Sequence, residues 1–185
     1  MNILGKQVRL RAIEEEDLPK LHGWANDPEI WYGLVGWHFP YSMESHKKWF
    51  LSLGADQRNQ RLAIETLDGK LIGTASLTDI DWKNNHASVG VRLGEKETWG
   101  KSYGTDATVA MMRYAFDELH FERLDIEIIE YNTASIRHIC EKCGGKEEGR
   151  MRNWFFRKGR YWDKIIVGIT KDDYAAFIAR TKYWE

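Results

Sequence analysis

Between Val89 and Phe116 the chain reads VGVRLGEKETWGKSYGTDATVAMMRYAF, an apolar strand passing through a Gly-studded loop straight into an amphipathic helix. Such a junction aims backbone N–H groups and the positive end of a helix at one spot, which holds a pyrophosphate without charged side chains. Gly100-Lys101-Ser102 invites a nucleotide reading. A Walker loop, however, needs G-x-x-x-x-G-K-[ST], and the upstream glycine, Gly94, stands one residue too far away. An extra residue misdirects donors that must converge on one phosphate. The plainer alternative is a Gly-rich loop that only turns a strand into a helix.

A second cluster, His138-x-Cys140-x-x-Cys143, suggests a metal. Zinc wants four ligands around a tetrahedron, and no second Cys/His pair at motif spacing completes the set. Cys140 and Cys143 simply share one helix face at i, i+3. A redox CxxC is rejected as well, because no thioredoxin-like βαβ unit surrounds it. No metal is expected.

These residues need a scaffold, and 185 residues suffice for one domain, 1–185, with its own core. A net charge of −1 gives no reason to expect nucleic acid or an anionic membrane as partner. No long apolar run or signal peptide is evident, and two cysteines make no disulfide framework, so a cytoplasmic setting is expected. Val8 to Ile13 alternates like a strand, and a helix follows from Glu14-Asp17 until Asn26-Asp27-Pro28 stops it. Ile30 to Tyr41 is aromatic and aperiodic, an ordered loop or broken helix. Ser42 caps a second helix ending near Gly54. Strands at 62–66 and 70–78 flank Leu67-Asp68-Gly69, a polar loop spans Asp79 to Asn85, and a third strand runs from His86 to Leu93. After the Gly loop come a helix (105–119), a strand (124–129), a helix (133–143) closed by Gly144-Gly145, and a hairpin (146–156 and 161–168). Thr170 and Asp173 start a short final helix. The order β-α-α-β-β-β-α-β-α-β-β describes an α/β (α+β) fold: a mixed, mostly antiparallel central sheet with helices on both faces.

Trp99-Gly100-Lys101-Ser102-Tyr103-Gly104-Thr105-Asp106-Ala107 resembles the acetyl-CoA pyrophosphate loop of the GNAT N-acetyltransferases, nearest the ribosomal-protein N-terminal and spermidine-type branch. The family form is Q/R-x-x-G-x-G/A. Here Trp99 replaces the Q/R and Ser102 the first Gly, where a small Ser serves if its φ is negative. Asn132-Thr133-Ala134-Ser135-Ile136-Arg137, Glu141-Lys142-Cys143-Gly144 and Gly159-Arg160-Tyr161-Trp162-Asp163 match later family segments, so the resemblance spans about residues 8 to 174.

The resemblance implies that the strand before the loop splays from its neighbour, with the backbone of Val91, Arg92 and Leu93 on the pantetheine arm. It places the pyrophosphate on the amides of Gly100, Lys101, Ser102, Tyr103, Gly104 and Thr105, with Trp99 leading the loop. Asn132 matches a pantetheine-contacting Asn, and helix N-cap is its other reading. The acceptor must be a free amine. Deprotonating an alkylammonium of pKa near ~10.4 at neutral pH costs about 4–5 kcal/mol at roughly 1.36 per unit. Glu127 matches a glutamate that serves some members as water-relayed base; a strand carboxylate paired with Arg or Lys is the alternative. Asp79 and Asp81 are secondary candidates. The family's acid, a Tyr, falls on Ile139 or Cys140. Cys140 stands as the acid, with packing or solvent protonation as alternatives, and His138 is equally ambiguous. Over the acceptor cleft the resemblance places Trp31, Tyr32, Trp37, His38 and Phe39, aromatic walls for an amine or sugar. The hairpin tip at 154–160 closes that cleft or forms a homodimer surface. The implied activity is acetyl-CoA-dependent N-acetyl transfer to a primary amine of a small molecule, amino sugar, polyamine or peptide N-terminus. A non-catalytic CoA-sensing module is the rival, and a nucleotide-binding protein the third reading.

Overall fold

The computed structural model describes residues 1–36 and 39–185. Among these residues eight strands make one sheet: β1 (Ile3–Leu4), β2 (Val8–Ala12), β3 (Gln60–Thr66), β4 (Leu71–Asp81), β5 (His86–Leu93), β6 (Arg123–Ile129), β7 (Lys146–Arg157) and β8 (Arg160–Thr170). In space they run β1-β2-β3-β4-β5-β6-β8-β7, and only the β5–β6 pair is parallel. The helices among the described residues are α1 (Leu18–Ala25), α2 (Pro28–Tyr32), α3 (Met43–Ser52), α4 (Tyr103–Arg113), α5 (Thr133–Lys142) and α6 (Lys171–Thr181). The mixed, mostly antiparallel sheet expected from the sequence is the one observed.

Alternation along the strands gives the sheet two apolar faces, each with its own cover. The larger core joins Leu10, Ile64, Leu77, Val89, Leu124 and Ile126 to Met111 and Phe116 from the α4 side and to Tyr174 and Phe177 of α6. A smaller one puts Leu18, Leu21 and Trp24 of α1, Ile30 of α2, and Trp49 and Phe50 of α3 against Ala63 and Leu71. Gly94 belongs to this second packing, since a Cβ there would lie 1.9 Å from the Trp24 ring. That glycine seats a tryptophan; it is no remnant of a Walker loop.

Three boundaries differ from expectation. Asn26-Asp27-Pro28 ends α1 but also starts α2: the Asp27 carboxylate accepts the Glu29 amide at 2.9 Å, and Pro28 takes the first helical position. Of the two readings of the stretch from Ile30, loop or broken helix, its start is helix, to Tyr32. β4 continues to Asp81 through an irregularity after Thr78, so Asp79 sits in a bulge at φ 51°, not in a following loop. α4 begins at Tyr103, two residues early, and ends in a π-helical turn over Tyr114–Glu118. Both anticipated caps form: Ser42 Oγ accepts the Ser45 amide at 3.0 Å, and Thr170 with Asp173 makes a reciprocal box.

One buried charge fixes α4 in place. Asp106 is fully buried, and its carboxylate accepts the amides of Lys6 (2.8 Å), Gln7 (2.6 Å) and Val8 (2.9 Å) and the Tyr183 hydroxyl (2.7 Å). Four donors satisfy a carboxylate that burial alone would make costly. The first turn of α4 is thereby tied to the start of β2 and to the segment after α6.

Candidate active site

The Gly loop ends with its donors free. Among the described residues, the amides of Gly100, Ser102, Tyr103, Gly104 and Thr105 have no protein acceptor, whereas Lys101 N–H is used by the Thr98 carbonyl at 3.3 Å. The last three belong to the first turn of α4, where the helix leaves its amides unpaired and its positive end exposed. Lys101 and Ser102 are exposed, and Trp99 bends back so that its indole N–H donates to the Leu93 carbonyl at 3.1 Å. The negative φ on which a serine in place of glycine depended is not met: Ser102 sits at φ 66°, ψ 0°, the left-handed region that favours glycine. A non-glycine residue there costs roughly 1–2 kcal/mol.

Behind this loop the sheet opens. β5 and β6 pair only at His86–Arg123, Ala87–Leu124 and Ser88–Asp125. Beyond Ser88, Val89–Leu93 stays bonded to β4, and beyond Asp125, Ile126–Ile129 stays bonded to β8. The two strands part, and a cavity of about 530 Å³ passes between them. Val91 and Ile126 line it from one sheet face, Arg92 and Glu127 from the other; Thr108 of α4 and Asn132, Ser135 and His138 around α5 close one side. Gly33, Leu34, Val35 and Gly36 cover the opposite side, with Trp49.

Asp79, Asp125 and Glu127 are the cavity carboxylates. Glu127 accepts Lys164 Nζ at 2.7 Å; the lysine side chain is 8% exposed and the glutamate's 45%. The lysine also lies over the Trp154 ring at 4.0 Å. Asp125 is bound by Arg123. Asp81 does not reach the cavity lining. It accepts the Lys83 and Asn84 amides at 3.0 and 2.9 Å, a turn role that holds its carboxyl below the usual range, mostly through Asn84.

Asn132 caps α5, its Oδ1 accepting the Ser135 amide at 3.1 Å, while its Nδ2 donates to the Gly33 carbonyl at 3.0 Å. Next to it, the Tyr131 hydroxyl donates to the Tyr32 carbonyl, and the two tyrosine rings stack at 4.7 Å. Burial first, and then Tyr32, push the Tyr131 phenol up to about 12. Neighbouring residues thus hold neighbouring carbonyls of the lip covering the cavity. Of the expected acceptor aromatics, Tyr32 stacks on Tyr131, Trp31 is half-buried and Phe39 is 66% exposed. The lining itself comes from the four residues after Tyr32. Trp37 and His38 lie outside the described residues.

On α5, His138 lines the cavity and Cys140 does not. Cys140 packs against the large core; burial first, and then Glu147 and Glu141, push its thiol up. Burial, with a smaller push from Lys142, takes His138 down to about 4, so its imidazole is neutral at pH 7; Nε2 lies 3.5 Å from Thr108 Oγ1. Among the described residues no His, Cys, Asp or Glu cluster is placed to hold a metal, and no helix is long and apolar enough to cross a membrane. Sequence reading missed Asp106, Tyr131 and Lys164. Asp106 lay inside the quoted loop motif and could have been questioned as an acid among Ala, Val and Met; nothing local marks the other two.

Unpaired amides, a parted sheet and a cavity between its strands suit a long phosphorylated arm reaching a central reaction point. The acetyltransferase (GNAT) domain family matches residues 7–146. YdaF of Bacillus subtilis (strain 168), a ribosomal N-acetyltransferase-like protein, is 33% identical over 176 residues, covering 92% of this chain and 95% of its own. The spermidine N(1)-acetyltransferase of Vibrio cholerae is 26% identical over 174 residues, covering 92% and 97%. A crystal structure of the Vibrio cholerae spermidine N-acetyltransferase with CoA and spermine superposes with a TM-score of 0.83 at 26% identity, covering 91% of this chain and 98% of that one.

Proposed function

The chain belongs to the GNAT acetyltransferase family and is an acyltransferase, and from that premise we propose that it acetylates a primary amine by direct attack within a ternary complex with acetyl-CoA. The observation that carries this reading is the gap between β5 and β6, with the unpaired amides at 100 and 102–105 near it, where a Cβ on Gly104 would lie 3.7 Å from Leu93 and 3.8 Å from His138. Those amides fit a pyrophosphate, to which the α4 dipole adds about 1 kcal/mol, or about 2 if partly buried. The main chain of Val91, Arg92 and Leu93 fits the pantetheine amides, with Asn132 across the gap. Acetyl-CoA supplies the acetyl group as an activated thioester.

The residues of this chain do the rest. Glu127, at the cavity wall, takes the ammonium proton directly or through one water, while Lys164 keeps it oriented. A strand amide near Leu93 polarises the carbonyl. As the amine nitrogen bonds to the acetyl carbon, the carbon–sulfur bond breaks, the nitrogen releases its second proton to solvent, and the thiolate takes a proton from solvent. Cys140, turned into the core, is the weaker candidate for that acid. Trp31, Tyr32 and Phe39 border the acceptor entrance and are not its floor. The whole of 1–185 acts as one domain, in the cytoplasm and without a metal, and the exposed Trp154, Phe156 and Tyr161 on the β7–β8 hairpin suit a homodimer contact.

Incubation with acetyl-CoA and a panel of amines, read as release of free thiol, tests the proposal. Acceptor-dependent release is expected. Tight CoA binding with no release by any amine would instead favour a sensing module.

A further inference from the structure

Among the described residues, none neutralises one cation in the acceptor half of the cavity. Arg92 projects from β5 into the cavity on the side covered by α1, α2 and α3, and it is half-buried. Among the described residues it makes no ion pair within 4 Å, and its buried Nε has no hydrogen-bond partner. The charge that acts on it most from outside is another cation, Arg61 of β3, which lines the same cavity. Register puts the two on one sheet face: Arg61 lies opposite Ser76, Ser76 opposite Gly90, and Arg92 is two residues on, opposite Thr74. His46 of α3 faces the same region with an unpartnered buried Nδ1, and it is held below the usual histidine range by burial first, then by His22 and Arg92. Two of the cavity's carboxylates are already engaged, Glu127 by Lys164 and Asp125 by Arg123, and Asp79 is exposed at its bulge. A guanidinium withdrawn from water without a counter-charge is costly to the fold, and its geometry suits a two-oxygen anion.

Building on the N-acetyltransferase reading, we propose that the acceptor amine also carries an anionic group, a carboxylate or a phosphate, and that Arg92, seconded by Arg61, receives it across the gap from Glu127. The two walls then sort the two ends of the acceptor, with nitrogen at the β6 carboxylate and the anion at the β5 arginine. A polycation such as a polyamine meets the wrong sign on the β5 wall.

Paired acceptors differing only in the anion test this: propylamine against β-alanine, glucosamine against glucosamine 6-phosphate, and spermidine as the polycation. For the wild type, kcat/KM should be at least about tenfold higher for the anionic member of one pair, and which pair responds separates carboxylate from phosphate. Arg92→Met should erase that preference, and Arg92→Lys should keep part of it. Because the methionine removes an unpaired buried charge, its Tm should equal or exceed the wild type's. Equal treatment of both members, preference for spermidine, or an equal loss on every acceptor in Arg92→Met overturns the proposal. Turnover of any amine leaves the parent reading standing whichever class wins. If no amine turns over, that reading falls, and calorimetry of β-alanine and glucosamine 6-phosphate into the CoA-saturated protein decides this one: no Arg92-dependent heat rejects it.

Discussion

Replacing Glu127 by glutamine separates a base from a strut. The side chain lies on the cavity wall, accepts Lys164 Nζ at 2.7 Å and is 45% exposed. Glutamine keeps an oxygen for that ammonium, so the fold exchanges a charge-assisted hydrogen bond for a neutral one, a loss of about 1 kcal/mol that solvent screening reduces further. The kinetic cost is larger and has a pH signature. With an amine pKa near ~10.4, only about one acceptor in a thousand is free base at about pH 7.4. The wild type draws on the ammonium form and hands its proton to Glu127; the variant must wait for free base. The deficit in kcat/KM therefore reaches about 10³ at about pH 7.4, within the usual range for general bases, and shrinks tenfold per pH unit to about 10 at about pH 9.4. Thiol release at saturating acetyl-CoA across that range measures it, with urea unfolding of both proteins alongside. A deficit that stays constant with pH, or that follows stability alone, refutes the assignment and leaves Glu127 as the partner of Lys164.

Three other outcomes are expected. Gly104→Ala places a Cβ at ordinary contact, 3.7 Å from Leu93 and 3.8 Å from His138, so thermal stability should hold or rise by up to about 1 kcal/mol while the KM for acetyl-CoA climbs; unchanged KM removes Gly104 from the phosphate site. Asp106→Asn offers one acceptor oxygen to donors that now share two, and should cost about 2–4 kcal/mol in denaturant unfolding, with a drop below about 1 contradicting the anchor role. His138, pushed down to about 4, binds its proton more weakly folded than unfolded. Its stabilising contribution is complete above about pH 6.5 and is lost as pH falls towards 4, by up to about 3 kcal/mol, and His138→Gln should flatten that acid limb of a Tm-against-pH curve.

The fold was legible wherever a local signal coincided with a tertiary one. The strands at 62–78 read correctly because their apolar residues also face the core, and the Thr170 and Ser42 caps because each side-chain oxygen meets an amide three residues on in its own helix. Asp27-Pro28 misled because one dipeptide both ends α1 and begins α2, and a stop signal was taken without its start. Ser102 misled because a serine reports nothing of the φ forced on it by Gly100 before it and α4 after it. The cavity itself was legible only through resemblance. That β5 and β6 share just three paired positions, that Arg92 has no ion-pair partner among the described residues, and that Lys164 arrives from β8 to meet Glu127 depend on strand register, and composition does not encode register.

The hydrogen bonds from Tyr131 and Asn132 to the carbonyls of Tyr32 and Gly33 make one hinge-pin of what look like two separate parts. Swinging that flap outward means breaking the bond from Asn132 Nδ2 to Gly33 and the bond from Tyr131 to Tyr32, and unseating a stacked phenol ring, at about 1 kcal/mol for each bond broken. On the acyl-transfer reading, the lip over the acceptor and the Asn132 that faces the other substrate are thus tied to each other, and a displacement of one strains the seat of the other.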